Sequence, residues 1–518
     1  MTREPGMLLL ALILLVLCTC VAALILGRRY RRRMRQLMCA ASAEDSTAPA
    51  TDAAVDARPP PAPVSLADNR AAGMWLTLVL VALSCLLAAT SACIWWTLSF
   101  PGEPLAQKRV AVIALLQLWP VIPVVALMWR WSRLRLVASL LLWCGLTFIV
   151  FLWRQIEPRP LLALAAMASE IGLPLVLVTL VFLGSATRAV TPWLLMPAAV
   201  LMWSSLLGLD VLMSTGQLQS SVLPYLTGRF EALLGWHTVY AMPALFALVP
   251  WALAWWPAWV LGRALSRAYV RKWISDLLVA FIGVWALALT DKAVTVATQV
   301  GIAAVAMYVP LLWILPIIWL ARRRPNRERP PTLLVLRVFQ QDTQAQDLFD
   351  HIVERWRLSG NTVLIAGTDL ADRTLDADDI FTFLEGRLAE RFIVRPADVA
   401  RRIAAFDMTA DIDGRYRVNE CYCHDKTWQN TLQALVSHSD VVLMDLRGFQ
   451  AHNAGCRYEL STLAQASREL RILVLVDSRT DRAAAREAIA GAPARFTFVG
   501  AQHFRASKRR EVLARLFG

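Results

Sequence analysis

The chain has 518 residues, of which 57% are hydrophobic and 18% charged, and its formal net charge is +14 at pH 7. Soluble globular chains carry about 25% charged residues, so the composition excludes an ordinary soluble protein and indicates a bilayer. Of the charged residues, 28 basic and 14 acidic ones precede Pro331, and 25 of each follow it. The excess of basic residues therefore lies in the hydrophobic part of the chain before Pro331, where Lys and Arg orient membrane helices. For this reason we expect no nucleic-acid partner.

Hydrophobic runs of about 20 residues, the length that a bilayer requires, fill the chain as far as residue 320. The first run, Met7 to Gly27, has its basic flank on the C-terminal side, which predicts an uncleaved anchor instead of a signal peptide. Further runs follow at 75–98, 110–129, 134–153, 160–184, 190–212, 238–262, 274–290 and 295–320. The sequence therefore predicts a multi-span α-helical membrane domain with about nine transmembrane helices.

Composition divides the chain into four predicted regions. Residues 1–39 form an anchor with a basic flank, and 40–73 are a Pro- and Ala-rich cytosolic linker that cannot bury a core. Residues 74–330 form the polytopic membrane domain, and 331–518 form a cytosolic α/β domain. If each run crosses once, alternate loops are the more basic ones, which predicts a multi-pass inner-membrane protein with its N-terminus outside and its C-terminal domain inside.

Acidic residues within the spans bear on transport. Glu170 is the only acid well inside a predicted span, and Asp210, Asp276 and Asp291 lie near predicted span ends. Intramembrane ionisable groups often mark ion pathways. A Glu at the outer interface, bonded to a neighbouring helix, would explain Glu170 equally, so a transporter with a regulatory cytosolic domain is one of three hypotheses.

Apolar runs and helical spacing alternate after Pro331. Strands are predicted at 332–339, 362–366, 415–418, 440–445, 471–477 and 495–499, and helices at 342–358, 378–392, 426–437, 455–468, 481–490 and 505–516. Nearly continuous apolar strands that alternate with helices are typical of a parallel sheet covered on both faces. The predicted fold is an α/β domain with a mainly parallel, flavodoxin-like sheet.

Polar side chains follow the predicted strands at their carboxyl ends. Arg337, Thr368, Asp369, Asp445 and Arg447 occupy these positions. Ligands of such sheets bind beyond the carboxyl ends of the strands, so these five are the candidate ligand-binding residues.

Familiar catalytic and metal motifs are absent from the sequence. It lacks GxGxxG after the first strand, GxxxxGK[ST], GxSxG and HExxH. The run Cys421-Tyr422-Cys423-His424 has no second ligand pair at a usual distance, and Asp411-Ile412-Asp413-Gly414 lacks the Glu that an EF-hand loop requires. We therefore expect no bound metal and no resident cofactor.

One stretch carries a family resemblance. Asp440 to Leu460 reads DVVLMDLRGFQAHNAGCRYEL, in which a strand and a polar loop precede a helix that opens with Cys456-x-x-Glu459-Leu460. This segment resembles TIR domains, which have a strand, a loop and a helix with Cys-x-x-Glu-Leu. It is also similar to nucleoside 2-deoxyribosyltransferases, whose Gly-x-x-x-Glu-Leu pattern matches Gly455 and Glu459. Gly455 replaces the usual Trp of TIR domains, and the loop has no Ser.

The resemblance implies that Glu459 is a catalytic carboxylate acting at an N-glycosidic bond, with a nucleotide such as NAD as substrate. An N-terminal-turn acid that complements the helix dipole is the alternative role for Glu459. The chain would then be a membrane-anchored receptor or effector with a TIR-like domain. A non-enzymatic module that associates with itself or with a partner is the remaining hypothesis, and the resemblance fits a homo-oligomer as well.

Overall fold

A computed structural model describes the chain apart from residues 1–4, 41–60, 154–184, 214–216, 322–328, 339–346, 367–376, 424–426 and 468. The chain forms two compact units. The helical unit comprises residues 1–26 and 80–319, and the α/β unit comprises 27–79 and 320–518. The first two helices of the chain, Pro5–Ala40 and Leu66–Ser99, are therefore each divided between the two units.

The described residues before Thr332 contain ten α-helices. They are α1 (Pro5–Ala40), α2 (Leu66–Ser99), α3 (Gln107–Leu116), α4 (Val121–Met128), α5 (Arg133–Trp153), α6 (Ser185–Met213), α7 (Gln217–Leu234), α8 (Thr238–Val270), α9 (Asp276–Val300) and α10 (Ile314–Ala321). The 3-10 helices Gly235–His237 and Gly301–Trp313 precede α8 and α10.

Six helices in the described part of the chain are long and apolar enough to cross a membrane. They are Ile13–Leu37, Leu66–Ser99, Gln107–Met128, Val190–Leu209, Tyr240–Val270 and Asp276–Ala297. The predicted runs at 134–153 and 295–320 correspond to shorter apolar helices, Leu134–Val150 and Gly301–Ile317. The predicted run at 160–184 and its Glu170 lie outside the described residues.

Helices α6 and α8 pack closely in the helical unit. A side chain at Gly208 would collide with the backbone carbonyl of Phe246 and with the ring of Pro250. Small residues allow this approach of helix backbones, which is how helices pack where no hydrophobic effect drives them together. Helix α9 is the most buried of the six candidate spans, and Ser275 caps its start by accepting a hydrogen bond from the Leu278 N–H at 3.2 Å.

The α/β unit contains one parallel sheet of seven strands in the order β3-β4-β2-β1-β5-β6-β7. The strands are β1 (Thr332–Arg337), β2 (Asn361–Ala366), β3 (Phe392–Ile393), β4 (Val418–Cys423), β5 (Val441–Asp445), β6 (Arg471–Val476) and β7 (Phe496–Gly500). The helices between them are α11 (Glu354–Trp356, after a π-helical turn Phe349–Val353), α12 (Ala377–Leu384), α13 (Asp398–Ala404), α14 (Trp428–His438), α15 (Ala454–Gln465), α16 (Arg482–Ala488) and α17 (Ala506–Phe517), with 3-10 turns Leu388–Arg391 and Pro493–Arg495.

Both faces of the sheet are covered, as the apolar strands predict. Leu333 and Val335 of β1 point into a core shared with α11 and α17, while Leu334 and Leu336 point into a core shared with α14, α15 and α16. This alternation follows from the period of two along a strand. The parallel α/β domain predicted from the sequence is confirmed.

The end of α1 is part of the first of these two cores. Tyr30 and Met34 are buried among residues of β1, β4 and α11. The Tyr30 ring meets Phe383 edge-on at 5.9 Å between centroids, and its hydroxyl oxygen lies 3.4 Å from that of Tyr422. Residues one helical turn apart thus anchor α1 on the sheet.

The start of α2 also belongs to the α/β unit. Ser65 and Asp68 cap the helix reciprocally, since the Asp68 N–H donates to Ser65 Oγ and the Ser65 N–H donates to Asp68 Oδ2, both at 3.1 Å. Asn69 is buried and donates from Nδ2 to the Arg355 carbonyl and to Ser359 Oγ, both at 2.7 Å. Because of this cap, α2 begins inside the range predicted as linker.

Three elements differ from the sequence-based expectation. The strand predicted at 415–418 lies at Val418–Cys423 instead, because Tyr422 and Cys421 point into the two opposite cores. The short strand β3 and helix α13 were not predicted, since neither contains an apolar run of useful length.

Truncating the buried side chains of α1 should destabilise the α/β unit. Tyr30→Ala or Met34→Ala removes a buried side chain from a packed core, which costs about 2–4 kcal/mol. Pulse proteolysis of the full-length protein in detergent and urea, followed through a C-terminal epitope, measures this loss. Arg32→Ala on the exposed face is the control, and an equal loss in that variant would contradict the packing argument.

Candidate functional site

The order of the strands reverses direction between β1 and β5. From β1 the chain continues to β2 on one side, while β5 pairs with β1 on the other side. Ligands of open α/β sheets bind in the crevice at such a switch point, outside the carboxyl ends of the strands. Arg337 and Asp445 end the two central strands and are partners in the sheet register.

Glu459 lies on α15, the helix that follows β5. Cys456, Leu460 and Leu463 of this helix are buried in the core, and Glu459 shares their face because helical residues three and four apart are neighbours. Its side chain is only 3% exposed, and Oε2 has no hydrogen-bond partner among the described residues. The carboxyl group is therefore far more enclosed than an acid that merely complements a helix dipole.

Arg337 is the charged neighbour of Glu459. Burial raises the pKa of Glu459 to about 8, and the positive charge of Arg337 opposes the shift only in part. Burial and the charge of Glu459 also raise the pKa of the Cys456 thiol, whereas Arg337 lowers it. The structure thus brings together Arg337, Glu459 and a neutral thiol at the carboxyl end of β1.

Asp445 and Arg447 bind each other. Arg447 donates from Nε to Asp445 Oδ1 at 2.8 Å and from Nη2 to Oδ2 at 2.6 Å. The same guanidinium lies 3.5 Å from Asp347 Oδ2 and stacks on Phe504, with its carbon 4.9 Å from the ring centroid. The ion pair between Asp445 and Arg447 therefore holds the loop after β5 in place. A ligand that binds either side chain would have to share or replace this ion pair.

Asp477 organises the neighbouring loop at the end of β6. It accepts hydrogen bonds from the Gly448 N–H at 3.0 Å, from Thr480 Oγ1 at 2.9 Å and from Arg479. Burial disfavours the charge of Asp477, but these hydrogen bonds outweigh it and lower the pKa. The loops after β5 and β6 are thereby tied to each other by a carboxylate that is already satisfied.

Two predicted ligand-binding residues, Thr368 and Asp369, lie outside the described residues. Asp347 was not predicted as a site residue, although it contacts Arg447 and accepts a hydrogen bond from the Phe504 N–H at 3.3 Å. A helical position gives no local signal for such a long-range contact. The contact between Asp347 and Arg447 could therefore be identified only from the folded structure.

The cysteines of β4 do not combine with other ligands around a metal position in the described part of the chain. Burial raises the pKa of the Cys423 thiol to about 12 and that of Cys421 further. Metal ligation requires the thiolate, which such burial disfavours. Both side chains instead fill the sheet, and Cys423 donates to Thr431 Oγ1 at 3.3 Å.

A separate charged pair lies in the helical unit. Helix α9 continues past the predicted span end at residue 290 to Val300, so Asp291 lies within the apolar helix. Its carboxylate is 3.6 Å from the Lys292 ammonium, and both side chains are buried. On the preceding residue, Thr290 Oγ1 lies 2.6 Å from the Tyr308 hydroxyl.

Replacing Glu459 by glutamine should alter the pH dependence of stability. The carboxyl group keeps its proton up to a pH of about 8 when folded, against an ordinary value of 4.5. Between these values unfolding releases a proton, so the stability of the natural protein falls by about 1.4 kcal/mol per pH unit as the pH rises. Glu459→Gln lacks this loss and should become the more stable variant toward a pH of about 8.

Urea unfolding of the full-length protein across this pH range measures the effect. Glu469 is exposed, so Glu469→Gln should follow the natural protein at every pH. Parallel pH profiles of the natural protein and Glu459→Gln would contradict the raised pKa.

The site thus combines a buried acid, a buried guanidinium and a polar edge where α/β sheets bind ligands. Comparison of the chain with protein-family models, curated proteins and solved structures finds no match.

Proposed function

We propose that this chain is a multi-pass inner-membrane receptor or effector whose cytosolic α/β unit binds a nucleotide such as NAD and cleaves its N-glycosidic bond. The observation that carries the proposal is the buried Glu459 beside Arg337 at the switch point of the sheet. Perturbed acids at ligand edges are typical of functional sites. The TIR-like segment around Glu459 supports the choice of an N-glycosidic bond.

Cleavage of NAD requires little more than a placed carboxylate. The bond between ribose C1′ and the nicotinamide nitrogen breaks, both electrons leave with nicotinamide, and the ribose becomes an oxocarbenium ion. Glu459 as a carboxylate would stabilise this cation. Water then adds to C1′ and releases a proton, giving ADP-ribose and nicotinamide.

The remaining site residues have roles at the phosphates and ribose. Arg337 and Arg447 can pair with diphosphate oxygens, since guanidinium forks match phosphate geometry. Thr368, Asp369 and Asp445 would bind ribose hydroxyls. Because Glu459 is enclosed, the side chains that cover it have to move before a substrate reaches it, and the positively charged nicotinamide ribosyl group would then favour the ionised acid.

Nicotinamide release by the full-length protein in nanodiscs tests the proposal. We expect Glu459→Gln to lower kcat at least about 100-fold, as removal of a charge-stabilising group does. Since only the carboxylate stabilises the cation, kcat/KM should rise about tenfold per pH unit until a pH of about 8.

Glu469→Gln is the matched control and should retain full activity. Absence of nicotinamide release by the natural protein at any pH would contradict the enzymatic reading. NAD binding without turnover would support the proposed ligand site but contradict a catalytic role for Glu459.

The membrane orientation has its own test. The six candidate spans in the described residues support a multi-pass protein, and the basic loops of the sequence support a cytosolic C-terminus. A reporter enzyme that is active only in the periplasm should be inactive when fused after Gly518, whereas a fluorescent protein should be bright there. The reverse pattern would overturn the orientation.

Two alternatives each have one observation in their favour. The mutual pairing of Asp445 and Arg447 favours a non-enzymatic module that binds a partner or another copy. The buried pair Asp291 and Lys292 favours a transporter. Proton or ion flux into proteoliposomes that disappears with Asp291→Asn would support the transporter.

A further inference from the structure

The segment of α1 from Arg28 to Leu37 has two chemically different faces. Tyr30 and Met34 are fully buried in the α/β unit, and Leu37 packs against the same core. Five arginines on the same ten residues are exposed: Arg28, Arg29, Arg32, Arg33 and Arg35. The burial of one face fixes the direction in which the other face points.

The five exposed arginines form what we call the arginine face. None of them takes part in an ion pair with a described acid, and the described residues of α1 include no Asp or Glu. Arg31, at the border between the two faces, is half-buried and is not counted among them. The arginine face is therefore a concentrated positive surface without internal compensation.

The position of this face along α1 indicates what it meets. Leu26 ends the apolar part of the helix, and Arg28 to Arg35 follow within about 10 Å of helix length at 1.5 Å per residue. If α1 crosses the bilayer, as the proposed function requires, the headgroup layer takes up about the first 5–8 Å of this distance, so these arginines lie within the layer or within about one Debye length of it.

We propose that the arginine face is a binding surface for the headgroups of anionic phospholipids. Guanidinium groups pair well with lipid phosphates, and clusters of four to eight basic residues beside a membrane helix attract acidic leaflets by about 1 kcal/mol per residue. A nucleic acid or a soluble polyphosphate would find the same charge, but the apolar stretch of the same helix holds these arginines at the lipid surface.

The bound lipid also acts on the α/β unit. Tyr30 and Met34 can remain in the core only at one rotation of α1, and that rotation points the arginine face away from the sheet. Lipids that bind α1 at this rotation stabilise, by mass action, the docked state, in which Tyr30 and Met34 are buried in the core. Anionic lipid should therefore protect β4, whose Tyr422 meets Tyr30.

The test uses full-length protein in nanodiscs of neutral phosphatidylcholine, or of the same lipid with about 30% phosphatidylglycerol, an acidic lipid of the type that basic segments bind. Hydrogen exchange of Val418–Cys423 should be at least about threefold slower in the acidic discs, in proportion to the stabilised docked population. Native mass spectrometry should find phosphatidylglycerol enriched over phosphatidylcholine on the protein.

The variant with glutamine at Arg28, Arg29, Arg32, Arg33 and Arg35 should lose both effects, and the five-lysine variant should keep most of them. The control replaces five exposed arginines elsewhere on the α/β unit, Arg395, Arg401, Arg457, Arg482 and Arg510, and should behave like the natural protein. Protease protection of the C-terminal unit verifies that the glutamine variant keeps the natural orientation, and Arg32→Gln with Arg33→Gln repeats the test if it does not.

Equal lipid enrichment in the glutamine variant and the natural protein would overturn the proposal. Displacement of the lipid by a short DNA duplex or by inositol hexaphosphate would also overturn it, since the face would then be a general polyanion site. No step of this test involves NAD, so a failure here is separate from a failure of the nicotinamide assay.

Discussion

A parallel sheet has to be covered on both faces, and this requirement organises the whole α/β unit. One face is closed by α14, α15 and α16, which the intervening chain supplies. The other is closed by α11 and α17 together with the end of α1. The first helix of the chain is consequently a structural part of the last domain.

The same requirement explains the character of the candidate site. Packing α15 on the sheet buries Cys456 and Leu460, and Glu459 is carried inward with them. Its carboxyl group then holds a proton at neutral pH because water is excluded and Arg337 compensates only in part. The perturbed acid at the switch point is thus a product of helix packing as much as of local charge.

The sequence predicted those parts of the fold whose signals are local. The apolar runs of β1, β5 and β6 predicted three central strands closely, and the spacing in Cys456-x-x-Glu459-Leu460 located the site helix. The strand β4 was misplaced because Val418–Cys423 contains Asn419 and Glu420, whose burial depends on partners far along the chain. Asn419, for example, donates a hydrogen bond from Nδ2 to the carbonyl oxygen of Asp407 at 3.0 Å, and Asp407 lies 12 residues earlier in the chain. The role of Tyr30 and Met34 was hidden by the arginines around them, although their spacing of four residues was a signal.

The contact between Tyr30 and Tyr422 joins residues 392 positions apart, and this separation sets an order of assembly. Ribosomes add roughly 5–20 residues per second, so roughly 20 to 80 s pass between synthesis of the two tyrosines. During that interval the inner face of α1 has no sheet to cover it. Synthesis of the first helix therefore precedes, by tens of seconds, completion of the core that it closes, and a ribosome that stalls before β4 leaves this helix without its partner.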